Sequence, residues 1–248
     1  MIPLSVPNLK GNELKYVSNC IKTEWISSSG KYVSIFEKKI SSYLKSRFAI
    51  ACINGTSALQ VSLRVLGVTQ GDEVIVPTIT FVSPINSVIY NNAKPIFMDV
   101  DDFYNLDVNK TIEFINHETI YKKKFKNNKK TGKKIAAIIV VHVWGNAVDL
   151  EKLISLCKKR NISIIEDAAQ SFGTKYTKGK LKNKFTGTIG KLGCLSFNGN
   201  KTLTAGGGGM IVTNDKKLAK KARYLVNQAK DDNFKYIHND IGYNFKLT

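Results

Sequence analysis

The sequence predicts an α/β protein built around a mostly parallel sheet, and three observations carry that expectation. Short runs of apolar residues alternate with stretches of helical periodicity through most of the chain. The runs are apolar at successive positions rather than at every second one, the pattern of strands covered on both faces. Polar residues suited to chemistry follow the runs directly, and in such sheets ligands bind at the carboxyl ends of the strands.

The elements follow in order. Phe48 to Ile53 is the first strand. Gly55-Thr56-Ser57 turns out of it, and Ala58 to Leu66 continues with helical spacing. Glu73 to Val76 is a strand closed by Pro77, and a helix runs from about Pro84 to Tyr90. Pro95 to Asp99 and Ile135 to Val141 are strands. Leu150 to Lys159 is a helix, and Ile162 to Ile165 is a strand ending at Glu166-Asp167. Gly193 to Phe197 and Met210 to Val212 are two more strands, and Asp215 to Gln228 is a basic amphipathic helix. No internal repeat is visible, and no Pro/Gly-rich linker divides the chain.

Composition excludes several classes. The 248 residues are 43% hydrophobic and 23% charged, enough to bury a sizeable core and unlike a fibrous or disordered chain. No apolar run reaches the about 20 residues of a membrane helix. The opening Met1-Ile2-Pro3-Leu4-Ser5 lacks the basic start and apolar centre of a secretory signal, so a cytoplasmic location is expected. Cys20, Cys52, Cys157 and Cys194 lack Cys-x-x-Cys spacing and read as reduced thiols. With His117, His142 and His238 they offer no ligand cluster, so no metal is expected. The net charge of +19 falls to +11 without the eight lysines of Lys122 to Lys134, KKKFKNNKKTGKK. That segment reads as a solvated loop or hairpin tip, so no specific nucleic-acid partner is expected.

Three places can carry chemistry. Asp167 ends an apolar strand at the ligand edge, where it serves either a ligand or, as a helix N-cap, the backbone. Lys201 lies just past another strand, before Gly206-Gly207-Gly208-Gly209. A lysine confined there can shift its pKa and form a Schiff base; otherwise it is one more surface lysine. The glycines allow close backbone approach or positive φ, or simply a flexible hairpin. Gly55-Thr56-Ser57 offers hydroxyls and free amides at a helix start, which suits a phosphate or an ordinary cap. A Walker A pattern is missing, as is Gly-x-Gly-x-x-Gly after the first strand, which disfavours nucleotide hydrolysis and dinucleotide binding. Together the three places meet the needs of pyridoxal 5′-phosphate: a phosphate cradle, a carboxylate for the pyridine nitrogen and a lysine for the aldehyde.

The motifs GTSAL, DEVIVPTITFVSPINSVIYNNAKPIFMDVD, EDAAQSFG, GCLSFNGNK and GGGGMIVT occur in that order. On them the chain resembles the DegT/StrS family of pyridoxal-phosphate-dependent sugar aminotransferases, from Pro3 to Thr248. The resemblance implies the aspartate-aminotransferase-like fold (fold type I) and a homodimer with the site at its interface. It places Lys201 as the catalytic, cofactor-binding lysine, Asp167 at the pyridine nitrogen and Gln170 near the 3-hydroxyl. Gly55, Thr56, Ser57 and Ser196 fall in the phosphate loop. Phe81 falls against the ring, or is a core aromatic. Asn244 reaches the partner subunit's cofactor phosphate, or is a turn asparagine. His142 lies in a family motif without an assigned role. Gly207 stands where many members have Glu, and the all-glycine form is similar to the subgroup of bacillosamine- and legionaminic-type pathways. The implied substrates are L-glutamate and a nucleotide-linked 4-keto-6-deoxy-2-acetamido sugar. Dehydratase-type relatives carry histidine in place of the lysine, so Lys201 argues for transamination. Members continue past this region, so residues 1–248 are expected to form the cofactor-binding large domain with an N-terminal segment, without a C-terminal small domain. The rival readings are a truncated, non-catalytic protein of this fold and a nucleic-acid-binding module.

Overall fold

The computed structural model describes every residue except Met1, Leu4, Lys123, Lys124 and Asn233. The chain forms α1 (Glu13–Lys22), α2 (Lys31–Leu44), β1 (Phe48–Cys52), α3 (Gly55–Val65), β2 (Glu73–Pro77), α4 (Val82–Tyr90) and β3 (Lys94–Met98). It continues through α5 (Val108–His117), β4 (Thr119–Lys122), β5 (Phe125–Asn128), β6 (Ile135–Val141), α6 (Glu151–Arg160), β7 (Ser163–Asp167), β8 (Leu192–Ser196), β9 (Gly209–Thr213) and α7 (Lys216–Val226). The expected elements are present with ends shifted by at most three residues, and β6 has the expected bounds.

Seven strands make one sheet in the order β1-β9-β8-β7-β6-β2-β3. The β7, β6, β2 and β3 pairings are parallel, as is β7 with β8, whereas β9 runs antiparallel to both β8 and β1. Two reversals return β1 to the common direction. The carboxyl ends of β1, β2, β6, β7 and β8 therefore share one edge.

Alternation along each strand sorts the core onto two faces. On β6, Ala137, Ile139 and Val141 pack with Leu59, Leu63 and Leu225 of α3 and α7. Its Ile138 and Val140 pack on the other face with Ile115, Leu153 and Cys157 of α5 and α6. A third cluster joins Ile40 and Leu44 of α2 to Ala49 and Ala51 of β1 and to Phe197 and Met210. The edges differ. At β1, Glu37 of α2 accepts from the Ala51 amide at 2.8 Å and pairs with Arg223 of α7, so a helix covers a free strand edge. At β3 the strand is partly exposed, with Phe97 open on its surface.

The lysine-rich segment takes the hairpin of its two expected forms, though it is not wholly solvated: β4 and β5 pair antiparallel from Thr119↔Asn128 to Lys122↔Phe125. Asn128 donates to Glu73 Oε2 at 3.0 Å, Lys134 pairs with Asp72 and Lys126 is buried. Lys123 and Lys124 of the segment lie outside the described residues. Cys52, Cys157 and Cys194 are buried free thiols, and burial pushes Cys52 and Cys157 up to about 12.

Candidate active site

Strand ends assemble the site. Asp167 is the last residue of β7 and is buried. No helix follows it, so the helix-cap alternative fails: its Oδ1 accepts from the Ala169 amide at 3.0 Å in a tight turn. The other carboxylate oxygen has no hydrogen bond among the described residues. Burial pushes the Asp167 carboxyl above its usual range, and the Ala169 amide, Lys201 and His142 pull in the opposite direction.

Lys201 sits in the loop from β8 to β9, whose ends are clamped by the Ser196↔Gly209 pair. It is half-buried, and its Nζ stands 6.0 Å from the Phe81 ring centroid. Phe81 precedes α4 and is 71% exposed, which removes the core-aromatic alternative and leaves an open ring opposite the lysine.

The glycine run is not a flexible hairpin. Gly206 and Gly208 take φ of +78° and +114°, and a Cβ on Gly209 would lie 2.3 Å from the backbone of Asn54. That contact seats the lysine loop against the start of α3. There Gly55 is also close-packed, because a Cβ would approach Ser196 Cβ to 3.0 Å. Gly55 and Ser196, remote in sequence, are thus neighbours. The amides at the head of α3 are not all free: Asn54 Oδ1 accepts from Ser57 at 2.8 Å and caps the helix. Thr56 Oγ1 lies 2.7 Å from Ser83 Oγ of α4. Asn54 and Ser83 escaped the sequence reading. A capping residue type directly before Gly55 signals the first; nothing local signals the second.

Gln170 Oε1 accepts from the Trp144 amide at 3.1 Å, tying the turn after β7 to the one after β6. Asn244 is exposed in a backbone bridge with Asn227, not in a turn. The next residue, Phe245, accepts from the Ile53 amide at 2.8 Å, which brings this segment beside the α3 start.

His142 gains a role from its contacts. Its Nδ1 accepts from the Val148 amide at 3.1 Å, so its Nε2 carries the proton that it donates to Glu166 Oε2 at 2.9 Å. Glu166 also accepts from the amides of Gly187, Ile189 and Gly190 at 2.9, 2.6 and 2.6 Å. A fully buried side chain with four donors fixes the end of β7 one residue before Asp167.

These residues fit pyridoxal phosphate. Asp167 keeps one carboxylate oxygen without a protein donor among the described residues, the position a protonated pyridine nitrogen needs. Lys201 faces an open aromatic surface, and α3 presents hydroxyls at a positive helix end. Two cavities, about 430 and 230 Å³, lie elsewhere, beneath Trp25 and Tyr32 of the N-terminal segment.

Known proteins resemble the chain in sequence and fold. The chain is 39% identical over its whole length to the GDP-perosamine synthase of Escherichia coli O157:H7 and 38% identical to that of Vibrio cholerae. It spans 62% of the length of each. A DegT DnrJ EryC1 StrS aminotransferase from Brucella abortus has the same fold at a TM-score of 0.84 and 33% identity, over 95% of this chain and 60% of that one. Residues 7–248 match the profile of the DegT/DnrJ/EryC1/StrS aminotransferase family, whose cofactor is pyridoxal phosphate. A match along nearly the entire chain, on a fold shared with a solved member, makes the assignment: the chain belongs to the DegT/DnrJ/EryC1/StrS aminotransferase family.

Proposed function

We propose that this chain carries the cofactor-binding part of an enzyme that transfers an amino group from L-glutamate to a nucleotide-linked 4-keto-6-deoxy sugar, with or without a 2-acetamido group. The observation that carries the reading is the meeting of Lys201, Phe81 and Asp167 at one sheet edge. Two relatives are named for the synthesis of GDP-perosamine, a nucleotide-linked sugar, which supports an acceptor of that class.

When bound, the cofactor supplies an aldehyde and an electron-withdrawing ring that accepts an electron pair from the substrate carbon. The residues divide the remaining work. Thr56, Ser57 and Ser196 hold the phosphate at the head of α3, with Gly55 leaving room for it. Asp167 holds a proton at the ring nitrogen, and a cation placed there reverses the upward push that burial gives its carboxyl. Gln170 orients the ring's hydroxyl edge. Phe81 covers the ring and excludes water from one face. Lys201 Nζ would hold the aldehyde and, once displaced by the incoming amine, would take the proton that leaves the substrate carbon. Asn244 reaches the phosphate of a partner subunit in a homodimer.

The test is an absorption spectrum of the purified chain with pyridoxal phosphate, before and after glutamate, beside Lys201→Ala. A visible band that requires Lys201 and bleaches with glutamate is expected. A folded chain with no such band would show that residues 1–248 do not hold the cofactor alone.

A further inference from the structure

The hairpin of β4 and β5 takes no part in that site. It leads through Gly132 into β6 and stands at the amino ends of the parallel strands, on the sheet edge opposite Lys201 and Asp167. Lys126, on β5, is only 5% exposed. Its Nζ lies 4.6 Å from the Tyr121 ring centroid and 3.5 Å from the Thr119 carbonyl. Arg160, at the end of α6, stands 5.6 Å from the same ring, and its Nε is buried without a hydrogen-bond partner. Lys129 reaches the same corner and donates to the carbonyl of His117, the last residue of α5. Burial, with Arg160 and Lys129 beside it, holds the Lys126 ammonium below the usual lysine range.

The charges do not balance locally. Three cations meet the carboxyl ends of α5 and α6, and each helix end carries about half an elementary negative charge. None of the ion pairs among the described residues involves Lys126, Lys129 or Arg160. A net positive charge is left over, the complement of an anionic group. The Arg160 guanidinium and the exposed Lys129 ammonium are donors that oxyanions select, and the buried Lys126 adds its charge behind them.

We propose that Lys126, Lys129 and Arg160 form a binding site for a phosphate group, on the sheet edge opposite the cofactor. A free phosphate and the headgroup of an anionic phospholipid share that chemistry. Calorimetric titration of the chain with inorganic pyrophosphate tests the site, with sedimentation against phosphatidylglycerol and phosphatidylcholine vesicles to separate the sources. Saturable binding is expected, weakened at least tenfold by Arg160→Gln and by Lys129→Gln. Lys129 is exposed, so its substitution leaves the hairpin packed. Lys217→Gln on α7 removes the same charge elsewhere and should change nothing. The α3 phosphate loop also binds pyrophosphate, but it lies at the other edge and does not respond to Lys129. Capture by phosphatidylglycerol vesicles that pyrophosphate displaces identifies the headgroup; pyrophosphate binding without vesicle capture identifies the free anion. The proposal is overturned if no binding depends on Lys129 and Arg160, or if Lys217→Gln weakens it equally.

Discussion

Asp167 is placed where its charge is costly until a cation arrives. Burial raises its carboxyl pKa in the folded chain above the unfolded value. Such a group weakens the fold as pH rises through the carboxylate range and has no effect once the proton is held in both states. Asp167→Asn keeps the acceptor for the Ala169 amide and removes the charge. In urea melts of the cofactor-free chain, the variant should match the parent at about pH 3 and exceed it at about pH 7, while its affinity for pyridoxal phosphate falls. A parent that gains on the variant with rising pH would contradict this account. Asp167 and Lys201 drew notice in the sequence because Asp167 directly follows an apolar run and Lys201 stands between a strand and a glycine run. The His142–Glu166 pair was not, because its meaning lies in a hydrogen bond between two strand ends 24 positions apart. Ser83 was hidden for the same reason, since its partner Thr56 belongs to another helix.

Elements were legible through their patterns. The strands of the sheet and helices α3, α4, α6 and α7 announced themselves through apolar runs or periodic faces. α1, which buries nothing, escaped, and so did α2 and α5, although α2 buries as many residues as α6. β4 and β5 were not marked as strands because polar residues outnumber apolar ones in them, five to three, although a cross-strand ladder needs no hydrophobic run. The glycine run before β9 shows what pattern alone leaves open. Its residues are spaced for contact, and Gly209→Ala drives a methyl group into the Asn54 backbone, which cannot rotate away. That substitution should lower unfolding free energy by about 3 kcal/mol or more and abolish cofactor binding together with it. A denaturant curve beside a cofactor titration would show both losses, and an unchanged midpoint would refute the crowding.

At the scale of the whole molecule, stability is unevenly spread. β6 is central in the sheet and packed on both faces, whereas α1 has no buried residue. Hydrogen exchange should therefore leave the β6 amides protected to the global unfolding limit while those of α1 exchange by local opening. Comparable protection in both would mean that another surface covers α1. The parallel order of the sheet followed from the sequence because doubly buried strands have a recognisable composition. The antiparallel insertion of β9 did not, because β8 and β9 are as apolar as their parallel neighbours. That insertion has an evolutionary consequence. Since β8 and β9 bond directly to each other, the loop bearing Lys201 is stapled at both ends, and Lys201 itself lies outside the strand ladder. Doubling the length of such a loop costs only about 0.6 kcal/mol in closure entropy. A lineage can therefore exchange the reactive side chain, or lengthen the segment around it, and inherit a new chemistry on an unchanged scaffold.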